Sequence, residues 1–229
     1  MTLYIPQPTT LADLRNACRL TCPDGDAWPD ASIDQWIIEG IKLYSAQFPR
    51  PRAYEFTLTT GTQSYALPVD CTAVLLVEYP TAQDPRRFLT QVNLTAARYC
   101  HSDPVYALEA VPTDELTDAP LYITFAETVA TGESARVTYL GAWELPQVSD
   151  DAALITVPVQ HHEIIQAFVE YRGHWMLEAQ AAVNTDNTSL TLSELGQNAR
   201  RAWNRYKEIT ARLQSAPPLV MQHPIWTYP

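Results

Sequence analysis

The first regular pattern of apolar positions lies between residues 10 and 20. Apolar residues recur there every three or four positions, which is the spacing of one helix face. Thr10 followed by Asp13 is typical of a helix N-cap with an acid in the first turn. We therefore predict a short helix that runs from Thr10 to about Leu20.

A second helical stripe follows after a turn. Ser32 and Gln35 have the spacing of a capping box, so this helix is predicted to begin at Ser32. The stripe is broad and apolar, and the sequence Pro49-Arg50-Pro51 should end it. Gly40 lies within the stripe, where the absence of a side chain would let another helix approach closely.

The apolar positions of residues 53–145 show the period of strands instead. Residues 54–59 alternate between apolar and polar, Gly61 interrupts the pattern, and the segment 65–67 resumes it. Two short alternating runs separated by a glycine-containing turn predict a β-hairpin.

Further strands are predicted in the same part of the chain. The apolar run 74–79 indicates a buried strand that ends at Pro80. Thr131-Gly132-Glu133 is predicted to turn the last pair of strands. The remaining predicted elements are one helical turn at 94–99 and strands at 104–108, 121–125 and 136–140. Together they indicate an antiparallel β unit.

Two more helices are predicted after the β unit. Pro158 is acceptable in a first helical turn, and the stripe that follows it ends at the polar run Asn184–Asn187. Thr191 and Glu194 then form a second capping box. The next apolar residues have a period of 3.5, which is typical of packed helices, and we expect them to pack within the molecule: Leu192, Leu195, Ala199, Ala202, Tyr206, Ile209 and Leu213.

The last residues of the sequence predict an extended arm. They contain four prolines and so are not expected to be helical. They also carry large apolar side chains, which favour docking in a groove over exposure to water: Leu219, Ile225, Trp226 and Tyr228. The alternative is that the arm folds back on the helices of its own chain.

These elements predict an α+β fold, with a helical bundle formed from both chain ends, an inserted antiparallel β unit and an extended C-terminal arm. The boundaries we expect are 1–52 for the N-terminal helices, 53–147 for the β unit, 148–214 for the C-terminal helices and 215–229 for the arm.

The net charge and its distribution along the chain limit which classes of function are possible. The chain of 229 residues has a net charge of −11, whereas a free-standing DNA-binding protein needs a positive surface. Residues 101–151 contain ten acids and one base. Residues 193–214 contain five bases and two acids, and Arg200, Arg201 and Arg205 are among the bases. We expect these arginines to contact an acidic surface of a neighbouring protein, and the acidic segment to face solvent or a channel.

Candidate catalytic chemistry is sparse. His161-His162-Glu163 lacks the spacing of a zinc protease, in which the two histidines lie one helical turn apart. The four cysteines are irregularly spaced and are expected to be reduced thiols. No transmembrane helix or signal peptide is predicted. We expect no metal, no cofactor and no enzymatic activity.

The ordered set of elements resembles the head–tail connector proteins of tailed bacteriophages, also described as adaptor or head-completion proteins. Four features carry the resemblance: the helix around Trp36 that ends at Phe48-Pro49, the segment Gly61-Thr-Gln-Ser-Tyr65-Ala-Leu67-Pro68-Val-Asp70, the strands that follow it, and Asp150-Asp151 leading to His161-His162-Glu163.

The resemblance implies a non-enzymatic structural protein of the virion neck, made in the host cytoplasm. Such proteins form rings, usually dodecameric, that bind the portal, join the DNA-filled head to the tail and let DNA pass through the lumen. It also implies that the C-terminal arm reaches the portal and that a tail or second neck protein lies on the other side. The alternatives are a tail-completion or stopper protein, and a soluble ligand-binding or hydrolase module that uses the β unit.

Overall fold

The computed structural model confirms an α+β fold and describes residues 9–21, 28–81, 83–93, 104–110, 121–126, 129–183 and 192–215. The chain divides into two compact units. Residues 1–44 with 143–229 form a helical unit, and residues 45–142 form a β unit. The predicted helical turn at 94–99 and the C-terminal arm lie outside the described residues.

The two N-terminal helices are α1 (Leu11–Arg19) and α2 (Asp30–Gln47). The cap predicted for α1 is confirmed, because Asp13 N–H donates to Thr10 Oγ1 at 3.2 Å and Thr10 N–H donates to Asp13 Oδ2 at 3.0 Å. The start predicted for α2 is wrong. The Ser32 N–H donates to the Pro29 carbonyl at 2.9 Å, so Ser32 already lies inside the first turn.

The two C-terminal helices are α3 (His162–Val183), which follows a 3-10 turn (Val159–His161), and α4 (Leu192–Ser215). The apolar seam of α4 packs within the molecule, as predicted, and its main contacts are with α3. Five of its residues are buried: Leu195, Ala199, Ala202, Tyr206 and Ile209. Phe168 on α3 lies 6.0 Å from Tyr206 between ring centroids.

Helix α2 packs against α3 at Gly40, as predicted. A Cβ at this position would lie 3.2 Å from Phe168 Cδ1 and 3.3 Å from Ile165 Cγ2. Gly40 is buried together with the apolar residues on either side of it, Ile37 and Ile41. The glycine therefore sets the distance between the two helices.

The β unit contains seven strands among its described residues: β1 (Arg50–Thr57), β2 (Ser64–Ala66), β3 (Ala73–Glu78), β4 (Thr90–Gln91), β5 (Val105–Ala110), β6 (Leu121–Phe125) and β7 (Ser134–Gly141). They form two sheets, with the orders β1-β7-β3 and β2-β6-β5-β4. All pairings are antiparallel except β4 with β5, which is parallel and differs from the prediction.

The predicted hairpin is wrong, because β1 and β2 belong to different sheets. Strand β1 pairs with β7 over eight residues, whereas the three residues of β2 pair with β6. The Phe56 and Tyr65 rings meet at 5.1 Å in the core between the sheets. The turn at Gly132 is present, but it too connects the two sheets instead of one hydrogen-bonded pair.

The strand predicted as buried, β3, is buried only at its end. The register shifts between Val74 and Leu76, and such a bulge changes which face the side chains point to. Leu75 and Leu76 are consequently 51% and 41% exposed, while Val77 is fully buried. Val77 joins a core that both sheets share, with Tyr79, Ile123, Phe125 and Val137 among its residues.

Candidate functional site

The basic residues of α4 lie away from its buried seam. Arg200, Arg201 and Arg205 are all exposed, since none of them occupies a position of the apolar seam. They fall into two groups. Arg205 forms ion pairs with acidic residues of the same unit, whereas Arg200 and Arg201 line surface depressions.

Arg205 forms ion pairs with α3. Its Nη1 lies 3.3 Å from Glu170 Oε2 and its Nη2 lies 3.6 Å from Glu163 Oε1. Arg212, two turns later, donates to Glu163 Oε2 at 2.8 Å. The hydrogen bond from Arg212 lowers the pKa of Glu163, whereas burial raises the pKa of Glu170 against the opposing effect of Arg205. Arg205 therefore already has acidic partners within its own unit.

Arg200 and Arg201 line separate depressions in the helical unit. Arg200 lies beside Glu178 and Gln197 in a depression of about 440 Å³. Arg201 lines a smaller cavity of about 260 Å³, together with Glu170 and His174.

Several predicted interaction residues lie outside the described part of the chain. These include all four apolar residues of the arm: Leu219, Ile225, Trp226 and Tyr228. The acidic segment 101–151 is described only in part. Within it, Glu133 accepts a hydrogen bond from the Tyr79 hydroxyl, and Asp151 forms an ion pair with Arg15 at 2.7 Å while remaining 69% exposed.

The adjacent histidines have structural partners. The His162 side chain is buried, and its Nε2 donates to the Val157 carbonyl at 2.9 Å. The His161 ring contacts Tyr44, with a hydrogen bond between its Nδ1 and the Tyr44 hydroxyl. Within the residues that the structure describes, no group of three or more His, Cys, Asp or Glu side chains is placed to hold a metal ion.

Burial lowers the pKa of His161, His162 and His174. Below their ordinary pKa of about 6.5, the unfolded chain takes up protons that the folded helical unit does not. The free energy of unfolding should therefore decrease as pH falls from 7 to 5. Urea unfolding followed by tryptophan fluorescence reports this unit, because all five tryptophans in the described part of the chain lie in it. A H162Q variant should show a weaker pH dependence, and an unchanged dependence would contradict this assignment.

The two cysteines in the described part of the chain are free thiols, as expected. Cys18 is fully buried, and desolvation raises its pKa to about 12. Burial also raises the pKa of Cys71. Since the thiolate is the reactive form, neither position has the features of a catalytic nucleophile.

Sequence reasoning missed two features of the helical unit. One is the buried ion pair between Arg15 and Asp34, whose members are far apart in sequence. The other is Trp175, which lies on α3 but is 49% exposed. A tryptophan on an apolar stripe is ordinarily assigned to the core, so no sequence signal separated Trp175 from its buried neighbours.

Within its described residues, the structure contains no helix long and apolar enough to cross a membrane.

No curated protein matches the sequence. The sequence does match the family described as SU10 adaptor protein, and the match covers residues 9–221. This span includes the β unit and every helix described above. The chain therefore belongs to the SU10 adaptor protein family, a family of structural adaptor proteins of bacteriophages.

Proposed function

We propose that this adaptor protein assembles into a dodecameric ring beneath the portal and joins the DNA-filled head to the tail. The observation that carries the proposal is the family match, which extends through nearly the whole chain. The net charge of −11 supports a channel role, because an acidic lining lets DNA pass without binding to it. A tail or second neck protein would occupy the opposite side of the ring.

The oligomeric state and the partner can be tested together. The mass of the purified chain is measured alone and after mixing with portal rings, by mass photometry. We expect the chain to add to portal rings as a closed set of copies. Binding only to tail-side components would instead indicate a stopper or tail-completion protein.

We propose that Arg200, Arg201 and Arg205 steer docking to an acidic surface of a neighbouring subunit or the portal. Exposed charges change association rates more than stability. A R200Q/R201Q/R205Q variant should dock about tenfold more slowly at low salt, with a weaker salt dependence. The rate is measured by surface plasmon resonance on immobilised portal rings.

The matched control is K207Q/R212Q, which removes two charges from the same helix and is compared with R200Q/R201Q, which also removes two. It should dock at close to the unmodified rate, because neither residue belongs to the proposed contact. Equal effects of the two variants would show that only net charge matters, and would contradict specific contacts by Arg200 and Arg201.

We also propose that the C-terminal arm, residues 216–229, fixes the ring to the portal. Its apolar side chains, above all Ile225 and Trp226, would supply anchors of the kind that dominate interfaces. Deletion of residues 216–229 should abolish stable binding to portal rings, as judged by co-sedimentation. Unchanged binding of the shortened chain would show that the arm is not the docking device.

A further inference from the structure

A groove lies on the helical unit between the first turns of α2 and the middle of α3. Its volume is about 370 Å³. Trp175 forms one wall and is about half exposed, whereas Trp36 is buried to 6% exposure beneath it. The groove combines apolar and polar side chains: Trp36, Trp175, Met176, Ser32, Gln35 and Arg172.

Arg172 is held over the exposed tryptophan. Its guanidinium carbon lies 5.2 Å from the centroid of the Trp175 ring, and its Nη2 forms an ion pair with Glu39 at 3.2 Å. The Nε of Arg172 is buried, and it has no hydrogen-bond partner among the described residues. Arg172 therefore lines the groove with a guanidinium whose Nη2 is held by Glu39 and whose Nε has no acceptor among the described residues.

This combination matches the chemistry that binds proline-rich segments. Such segments form an extended polyproline helix whose carbonyl groups have no internal hydrogen-bond partners. They dock in grooves lined by aromatic rings, where side-chain donors reach those carbonyls. Trp175 supplies an exposed ring, and Ser32, Gln35 and Arg172 supply the donors.

We propose that the groove between α2 and α3 binds the C-terminal arm, residues 216–229, of the same chain. The arm contains four prolines together with the aromatic residues Trp226 and Tyr228. It contains no Asp, Glu, Lys or Arg, so apart from His223 its side chains bring no charge that would have to be desolvated in the groove.

The arm is long enough to reach the groove. The bond of 2.8 Å between Arg212 and Glu163 places the end of α4 beside the start of α3. From Glu163 to the level of Trp175, α3 rises about 18 Å at ~1.5 Å per residue. The 14 residues of the arm span about 43 Å as a polyproline helix, which leaves length to pass around α3. A short tether also gives an effective concentration of about 1 mM.

This inference goes beyond the ring proposal. It assigns the arm a binding site on its own subunit before any portal is present, so the portal must displace the arm from that site. The groove can therefore be tested on the isolated chain, and the result does not depend on portal binding.

The test places a photoreactive residue in the arm of the full-length chain. Tyr228 is replaced by p-benzoylphenylalanine, the purified protein is irradiated, and the crosslinked peptides are identified by mass spectrometry. We expect crosslinks to residues 31–36 or 172–176. Mixing chains labelled with nitrogen-14 and nitrogen-15 should give crosslinks within one chain only. Crosslinks confined to other surfaces, or formed between chains, would overturn the proposal.

A matched pair of variants tests the exposed ring. W175A should lower the crosslink yield about tenfold, because the ring is the main apolar wall. W203A should leave the yield unchanged, because Trp203 is 36% exposed on α4 and stacks on Tyr206 away from the groove. Circular dichroism checks that both variants are folded, and the yield should not change between low and high salt. Equal yields in the two variants would contradict the assignment.

Discussion

Replacing Asp34 with asparagine is expected to destabilise the helical unit by about 3 kcal/mol, near the lower end of the range for breaking a buried ion pair. Arg15 Nε and Nη2 donate to the two oxygens of Asp34 at 2.7 and 2.8 Å. The residues are only 8% and 1% exposed. The hydrogen bond to Asp34 raises the pKa of Arg15 above its ordinary value. The variant leaves this guanidinium buried, with two exposed carboxylates as its remaining ion-pair partners, Asp151 at 2.7 Å and Asp30 at 3.9 Å.

Urea unfolding followed by tryptophan fluorescence measures this effect. The control is E39Q on the same helix, which removes the partner of Arg172 at a site about one third exposed. That change should cost no more than about 1 kcal/mol. The double variant R15M/D34L, which removes both charges, should recover much of the loss. Similar losses in D34N and E39Q would contradict the special role of the buried pair.

Replacing a glycine with alanine in the interior of α3 and of α4 should have opposite effects on the free energy of unfolding. At Gly173, a Cβ would lie 2.3 Å from Trp28 Cε2. Trp28 is fully buried and touches Trp36 and His174 edge-on, so its ring cannot move aside without disturbing both. Overpacking of this kind costs about 1–3 kcal/mol or more, and the better helix propensity of alanine returns only part of it. G173A should therefore lower the free energy of unfolding by about 1–2 kcal/mol.

G196A is the matched variant. There a Cβ would meet Glu178 Oε1 at 2.7 Å, but this atom is the far end of a flexible, partly exposed side chain. The carboxylate can rotate away, so the gain in helix propensity should dominate and stabilise the unit by about 0.5–1 kcal/mol. The same unfolding measurement compares the two variants, and a change of the same sign at both positions would refute the packing argument.

The sequence determined the features that depend on neighbouring residues. The cap of α1 requires only Thr10 and Asp13, which are three residues apart, and both of its hydrogen bonds are present. The sequence also predicted the strand boundaries at Pro80 and Gly132 and the apolar seam of α4, because these features too depend on residues that are close together in the chain. The exposure of Arg200 and Arg201 followed from their positions off that seam. These interactions act within one or two turns of chain, where spacing fixes geometry.

The sequence by itself did not determine which strands pair. Residues 54–59 and 65–67 have the pattern of a hairpin, yet β1 pairs with β7 and β2 pairs with β6, and the partly buried Phe56 and Tyr65 pack against one core that both sheets share. The bulge in β3 arises from that pairing and cannot be read from its apolar run. Strand pairing joins residues that are distant along the chain, and an alternating pattern of apolar residues is compatible with several partner strands.

Tertiary structure also determined where α2 begins and which partners individual charged groups and aromatic rings have. Ser32 and Gln35 satisfy a capping pattern, but the chain enters the helix two residues earlier at Asp30. Arg205 meets Glu163 and Glu170 only because α4 packs against α3. Trp175 remains half exposed because α2 and α3 leave a groove beside it. Sequence spacing specifies which face of a helix is apolar, whereas the partner of each side chain depends on elements that are distant along the chain.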